Sequence, residues 1–235
     1  MQNRRGLFAG MQSGRLSGFV PYKGTKDLPN AGRISRFIRN FVDMKVALCQ
    51  FSMEWEAAAR NLRRAEELVA QAGADLALLP EMFATGFVTE PWRTALPDEE
   101  ELLAWMRRTA RRYATALAGS AVVRSGDRFA NRFFFVRPAG GAERYDKRHL
   151  FSIGGEDAHF VAGRRRVVVE YGGLRFLPLV CYDLRFPVWC RCRSDYDAIL
   201  CVASWPAPRR EVWRTLLRAR AIENQCYVVG VNRTG

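Results

Sequence analysis

The chain is short of lysine, histidine and long apolar runs, and each shortage excludes something. No apolar stretch in its 235 residues approaches the roughly 20 that a helix needs to cross a bilayer, so a membrane-spanning protein is not expected. Six cysteines are too sparse for a disulfide scaffold, and the N-terminus lacks the continuous apolar stretch of a secretory signal. Reduced thiols and a cytoplasmic location are the expectation. Only two histidines, His149 and His159, stand ready for chemistry that needs an imidazole. With 49% hydrophobic and 26% charged residues, the composition is too apolar for disorder, and the length fits one large domain.

Positive charge is plentiful, with 37 Lys+Arg against 24 Asp+Glu and a net charge of +13. It is unevenly placed: residues 1–43 carry net +6 and residues 44–235 net +7. In the longer part, Arg107-Arg108, Arg111-Arg112 and Arg164-Arg165-Arg166 are dispersed, with no C2H2 spacing and no aromatic RNP-type strand. A basic nucleic-acid-binding protein is therefore the weaker reading, and solvated surface charge the stronger. Of the positive residues only four are lysines, and beyond Met44 only Lys45 and Lys147 remain. An ammonium and a guanidinium are not interchangeable, which singles out Lys147.

Residues 1–43 differ in character from the rest. They are rich in Gly, Arg and Ser, and Ile34, Phe37, Ile38 and Phe41 have helical spacing with arginines between them. A basic amphipathic helix of this kind could be a targeting presequence or a membrane-surface segment; the stronger reading is a basic extension, disordered or not native, ahead of a natural start at Met44. From there the pattern becomes regular. Strands are predicted over 45–51, 76–79, 116–123, 128–136, 142–145, 167–171, 175–180, 196–202 and 226–231, and helices over 54–72, 98–113 and 209–224. Strands alternating with helices, plus consecutive strand pairs, predict a layered α/β fold with a mixed sheet.

Three residues with complementary chemistry fall just past strand ends in this reading: Glu81, Lys147 and Cys181. Sites in α/β proteins form where strand ends and their following loops converge. A thiol needs a base to become a nucleophile, and an attacked carbonyl needs a positive donor for its developing oxyanion. Carboxylate, thiol and ammonium supply these without a histidine. Each residue alone is commonplace, since a strand-end cysteine is most often a small buried hydrophobe.

The surrounding sequences add weight. Leu78-Leu79-Pro80-Glu81-Met82-Phe83, Tyr145-Asp146-Lys147-Arg148-His149-Leu150-Phe151 and Val180-Cys181-Tyr182-Asp183-Leu184-Arg185-Phe186-Pro187 occur in the order that resembles the nitrilase, or carbon–nitrogen hydrolase, superfamily. Ala203-Ser204-Trp205-Pro206, the stretch Trp213 to Gln225 and Gly230-Val231-Asn232-Arg233 resemble its omega-amidase branch. The resemblance spans Met44 to Gly235. It implies an α-β-β-α sandwich, with Glu81 as base and then acid, Lys147 as oxyanion stabiliser and Cys181 as nucleophile. The Tyr182 backbone N–H would be the second oxyanion donor. Glu156, in Gly154-Gly155-Glu156-Asp157, matches an additional acidic residue that would orient Lys147 or the hydrolytic water; a glycine-flanked loop glutamate is otherwise expected to face solvent. The implied reaction is hydrolysis of a small-molecule amide through a Cys thioester, on short dicarboxylate monoamides such as 2-oxoglutaramate or 2-oxosuccinamate, with no metal and no cofactor. A substrate carboxylate would want an arginine. Arg185 is one candidate, with a structural ion pair as its other reading.

The resemblance also sets expectations about assembly. The family domain continues past the equivalent of Gly235, so residues 44–235 are expected to form a C-terminally incomplete hydrolase domain. Its further strands would be missing, and it would be a homodimer if the missing part is not essential. A truncated, inactive fragment is the alternative. A Cys–His dyad using His149 or His159 lacks the local signatures of that class. A metal site on Cys181, Cys190 and Cys192 lacks zinc-type spacing and a fourth ligand. Cys49, Cys201 and Cys226 read as core.

Overall fold

The computed structural model describes residues 43–93 and 98–234; the amphipathic helix expected around Ile34–Phe41 lies outside them. Among the described residues, nine strands form two sheets. Sheet A has the order β1 (Val46–Leu48), β2 (Leu76–Leu78), β3 (Ala116–Ser125), β4 (Arg128–Val136), β5 (Ala142–Asp146). Sheet B has the order β6 (Val169–Tyr171), β7 (Leu174–Val180), β8 (Ala198–Ala203), β9 (Tyr227–Asn232). The first three strands of sheet A run parallel and the next two pairings are antiparallel, as are β6 and β7, while β7, β8 and β9 are parallel. Both sheets are mixed, as the alternating pattern predicts.

The layering follows from period two in the strands, which sends neighbouring side chains to opposite faces. Leu76, Leu78, Ala116, Ala118, Phe133 and Phe135 of sheet A meet Phe176, Val180, Ala198, Leu200 and Val202 of sheet B in one buried layer. The residues between them face outward. Ala77, Leu117, Ala121 and Phe134 pack under helices α1 (Ala58–Ala72) and α2 (Glu99–Arg112). Leu177, Leu179, Ile199 and Cys201 pack under Trp213, Leu216 and Leu217 of α5 (Arg210–Asn224). Strands apolar on both faces can only sit between two covers, so the sequence forces helix, sheet, sheet, helix. This is the α-β-β-α sandwich expected.

Local signals set the boundaries. Asp98 caps α2 by accepting from the Glu100 N–H at 2.8 Å, and Glu99–Glu101 open the helix while Arg111 and Arg112 close it, matching the helix dipole. Helix α1 starts at Ala58, four residues later than its apolar pattern predicts. Glu56 there takes a left-handed φ of 59°, and its N–H goes to Thr85 O instead of a helical acceptor. Buried Asn61 holds that entry loop by donating to Glu54 O and Ala84 O and accepting from the Glu54 N–H.

Burial pushes the Cys49, Cys190 and Cys226 thiols up to about 12, and Cys201 well above the ordinary thiol range. The unfolded chain would ionise these thiols near their ordinary values while the fold keeps them neutral. Above that range the unfolded state therefore binds fewer protons, and stability falls with rising pH. The melting temperature should drop progressively between about pH 8.5 and pH 11. A flat profile across that interval in a differential scanning experiment would contradict this burial.

Candidate active site

Four polar side chains converge at one end of the gap between the two sheets. Glu81 lies three residues past β2, Lys147 directly follows β5, and Cys181 directly follows β7. The fourth, Glu156, begins a one-turn helix, α3 (Glu156–His159). Glu81, Lys147 and Glu156 are all fully buried. A glycine-flanked loop glutamate faces solvent by default, whereas Glu156 lies against Lys147, one of the two partners the resemblance implies for it. It is drawn inside because Lys147 and the Phe151 N–H need an acceptor there.

The contacts are short. Lys147 Nζ donates to Glu81 Oε1 at 2.8 Å and to Glu156 at 2.8 Å (Oε2) and 3.2 Å (Oε1). Asn131, a buried residue of β4, donates its Nδ2 to Glu81 Oε1 at 2.8 Å and to Glu156 Oε1 at 3.0 Å. The Ser204 N–H, just past β8, donates to Glu81 Oε2 at 2.9 Å. The Phe151 N–H donates to Glu156 Oε2 at 2.7 Å. Both oxygens of Glu156 thus receive two donors, which fills its lone pairs. That arrangement suits an anchor for Lys147; a base for water would need a free lone pair.

Cys181 takes a left-handed φ of 46°, a conformation a non-glycine residue adopts only when its surroundings impose it. The strand ends there and a 3-10 turn, Cys181–Arg185, begins at once. Its first-turn N–H groups, that of Tyr182 among them, have no acceptor within the turn. The thiol lies against Glu81. Burial raises its pKa well above the ordinary value, the Glu81 charge and hydrogen bond raise it further, and Lys147 opposes them. The thiol is neutral at neutral pH and needs a base beside it. Lys147 is held cationic: the Glu81 and Glu156 charges outweigh the burial that would lower its pKa.

A second network sets the distance between the two sheets at the site. Fully buried Asp183, two residues past Cys181, accepts from Tyr145 Oη at 2.8 Å, the Val180 N–H at 3.0 Å and the His149 N–H at 2.9 Å. His149 Nδ1 also lies 2.8 Å from its Oδ1, and the imidazole stacks on Phe186 at 3.7 Å between centroids. Tyr145 and His149 flank Lys147 at two residues on either side, so Asp183 fixes the lysine loop against the cysteine turn. His159 instead meets the Trp92 ring edge-on. The charged and polar side chains that shift Cys181 are Glu81, Lys147 and Cys201, with no histidine among them. Among the described residues, no group of three or more His, Cys, Asp or Glu is arranged to hold a metal ion.

Sequence reasoning missed Asn131 and Asp183. An asparagine inside the apolar strand Phe129-Ala130-Asn131-Arg132-Phe133 was the available signal, because a buried amide needs a stated partner. Aromatic rings surround the opening. Phe87 lies 5.8 Å from Lys147 Nζ, and Tyr182 meets both Phe151 and Phe186 at 5.3 Å.

A two-sheet sandwich with a buried Glu–Lys pair beside a strained, strand-end cysteine holds the groups that thiol-dependent hydrolysis needs. Residues 45–235 match the carbon–nitrogen hydrolase family, and the chain belongs to it. Within the family it falls in the omega-amidase-like branch. It is 49% identical over 193 residues to the omega-amidase YafV of Yersinia enterocolitica, covering 82% of this chain and 75% of that one. It is 32% identical over 197 residues to the 2-oxoglutaramate amidase of Bacillus subtilis, covering 81% and 76%. Among solved structures it superposes with a TM-score of 0.78 and 42% identity on XC1258 of Xanthomonas campestris, a CN-hydrolase superfamily protein with an arsenic adduct in its active site, covering 82% and 76%. A glutamate-to-glutamine mutant of the amidase from Nesterenkonia sp. AN1, which shows Michael addition of acrylamide at its active-site cysteine, gives 0.75 and 27%, covering 82% and 79%. The protein is an amide-hydrolysing enzyme.

The site leaves little freedom at Gly163. Its N–H donates to Lys147 O at 2.8 Å, and a Cβ there would sit 2.0 Å from Asp146 O. Gly163→Ala must displace the backbone that carries Lys147. Since a misplacement of about 1 Å can lower turnover about 100-fold, kcat should fall at least 10-fold with KM nearly unchanged. Wild-type kcat in this variant would show that Lys147 need not be held there.

Proposed function

We propose that Glu81, Lys147 and Cys181 are the catalytic residues, and that the substrates are omega-monoamides of short dicarboxylates, such as 2-oxoglutaramate and 2-oxosuccinamate. The observation that carries this reading is one carboxylate, Glu81, in contact with both the thiol of Cys181 and the ammonium of Lys147. Glu81 takes the thiol proton as sulfur attacks the carboxamide carbon. The oxyanion is held by Lys147 and the Tyr182 N–H. With the two Glu156 contacts sharing one N–H, Lys147 keeps a third N–H for that purpose. Glu81 then protonates the departing nitrogen, ammonia leaves, and water hydrolyses the thioester. Glu156 supports the reaction by gripping Lys147.

The substrate's free carboxylate needs a cation, and Arg185 answers to it. Its guanidinium lies 5.2 Å from the Trp205 ring centre and 5.9 Å from that of Tyr182. Among the described residues no ion pair of Arg185 with a carboxylate is present, which favours the substrate reading. Trp205 follows Ser204, whose N–H donates to Glu81, and Tyr182 follows Cys181, so both rings beside the guanidinium belong to residues next to the site. The names of the relatives, omega-amidase and 2-oxoglutaramate amidase, support the same substrate class. We also read the enzyme as cytoplasmic and homodimeric, with exposed Ile222 and Val188 as apolar contact surface; sedimentation at micromolar concentration tests the dimer.

Ammonia release from 2-oxoglutaramate, 2-oxosuccinamate and an uncharged amide such as butyramide tests the reading. Wild type should release ammonia fastest from the carboxylate-bearing amides, and Cys181→Ala should release none. Arg185→Gln should raise KM about 10-fold or more for the charged amides and leave butyramide unaffected. Activity surviving in Cys181→Ala would refute the nucleophile. Equal effects of Arg185→Gln on all three amides would refute the carboxylate contact alone.

A further inference from the structure

We propose that Asn131 is a positioning residue that decides which oxygen of Glu81 takes the proton from Cys181. The inference rests on Glu81 acting as the base. A carboxylate offers about four lone-pair sites, two on each oxygen. Glu81 Oε1 accepts from Lys147 Nζ and from Asn131 Nδ2, both at 2.8 Å, so it is full. Among the described residues, the one N–H that Glu81 Oε2 accepts is that of Ser204, which leaves a site on it for the Cys181 thiol. The open site is where the thiol proton must go.

This placement matters because the same proton has to come back. In acylation the Cys181 S–H bond breaks, its proton goes to Glu81 Oε2, and its electron pair forms the S–C bond. The carbonyl pair moves to the oxygen. On collapse that pair returns, the C–N bond breaks, and the proton on Oε2 passes to nitrogen, leaving ammonia and the thioester. A proton taken at Oε1 would sit against the Lys147 ammonium, away from the departing nitrogen. Asn131 closes that route.

Three features mark Asn131 as arranged for this task. Its amide has two N–H bonds and two carboxylates to satisfy, Glu81 and Glu156. Turning the amide over would set its oxygen against two carboxylate oxygens, so its orientation is fixed. Among the described residues its buried Oδ1 has no hydrogen-bond partner, an unfavourable feature found where structures are held for function. Its backbone also carries Lys147, whose N–H donates to Asn131 O at 2.9 Å. One residue of β4 therefore holds the lysine by its backbone and both of the lysine's carboxylate partners by its side chain.

The groups that face Glu81 are Asn131 from β4, Lys147 past β5, Glu156 of α3, Cys181 past β7 and the Ser204 N–H past β8. Removing the Asn131 donors makes a carboxylate easier to protonate and opens its second oxygen. Asn131→Leu keeps the volume and loses both donors; Asn131→Asp keeps the shape and adds a third carboxylate. The acid limb of kcat/KM should move up by about one pH unit in Asn131→Leu. Its kcat should fall about 100-fold with KM within about 3-fold of wild type. Asn131→Asp should lose activity despite its shape, and Asn131→Ser, with one donor, should recover part of it. If the leucine variant does not fold, the serine variant carries the test, with the same displaced limb at smaller amplitude. An unmoved acid limb in the folded variant, whether kcat falls or not, overturns the proposal. Wild type and Cys181→Ala are assayed alongside: ammonia release that survives in Cys181→Ala strikes the underlying mechanism instead.

Discussion

Everything at this site depends on one buried ammonium shared between two buried carboxylates. Taking three charges out of water costs several kcal/mol per ion unless the partners are close and every lone pair is used. Lys147, Glu81 and Glu156 meet that condition through a neutral amide and two backbone N–H groups, except for one site on Glu81 Oε2 that faces the Cys181 thiol. The triad carries one net negative charge, and the thiol of Cys181 sits beside it. Burial first, and the Glu81 charge after it, keep the thiol protonated, with the Glu81 carboxylate already in contact with it.

The two sheets exist, functionally, to bring these groups to one place. Sheet A supplies Glu81, Asn131 and Lys147, and sheet B supplies Cys181 and the Ser204 N–H. Two ties set their relation. Glu81 accepts from Ser204 across the gap, and Asp183 draws Tyr145 and His149 of the lysine segment toward the cysteine turn. The apolar layer of Leu76, Phe133, Phe176 and Leu200 beneath them fixes the sheet spacing. Packing and polar ties therefore act on the same coordinate, the separation of lysine from sulfur, to which reactivity is most sensitive.

Much of this was legible in the sequence, and the limits have physical causes. Strand positions followed from apolar alternation, and strand ends followed from Pro80, Asp146 and Cys181. The three chemical residues stood out because each ended a strand and, for Lys147, because lysine is scarce among so many arginines. Glu156 was recognised only through the family resemblance, since local sequence shows its glycine neighbours and hides its long-range partners. Asn131 and Asp183 went unrecognised for the same reason. Their roles lie in pairs 50 and 38 residues apart in the chain, across strands and across sheets. Local pattern fixes which face a residue takes; it does not say what waits on the other side.

In the proposed mechanism the sulfur of Cys181, activated by Glu81, carries the acyl group. Rapid acid quench of the enzyme during turnover of 2-oxoglutaramate, followed by intact-mass and peptide analysis, tests it directly. The account predicts a transient mass increase equal to the acyl group, confined to the peptide containing Cys181 and absent in Cys181→Ala. Ammonia release with no adduct at any time, or an adduct on Cys190, Cys192 or Cys226, would contradict it.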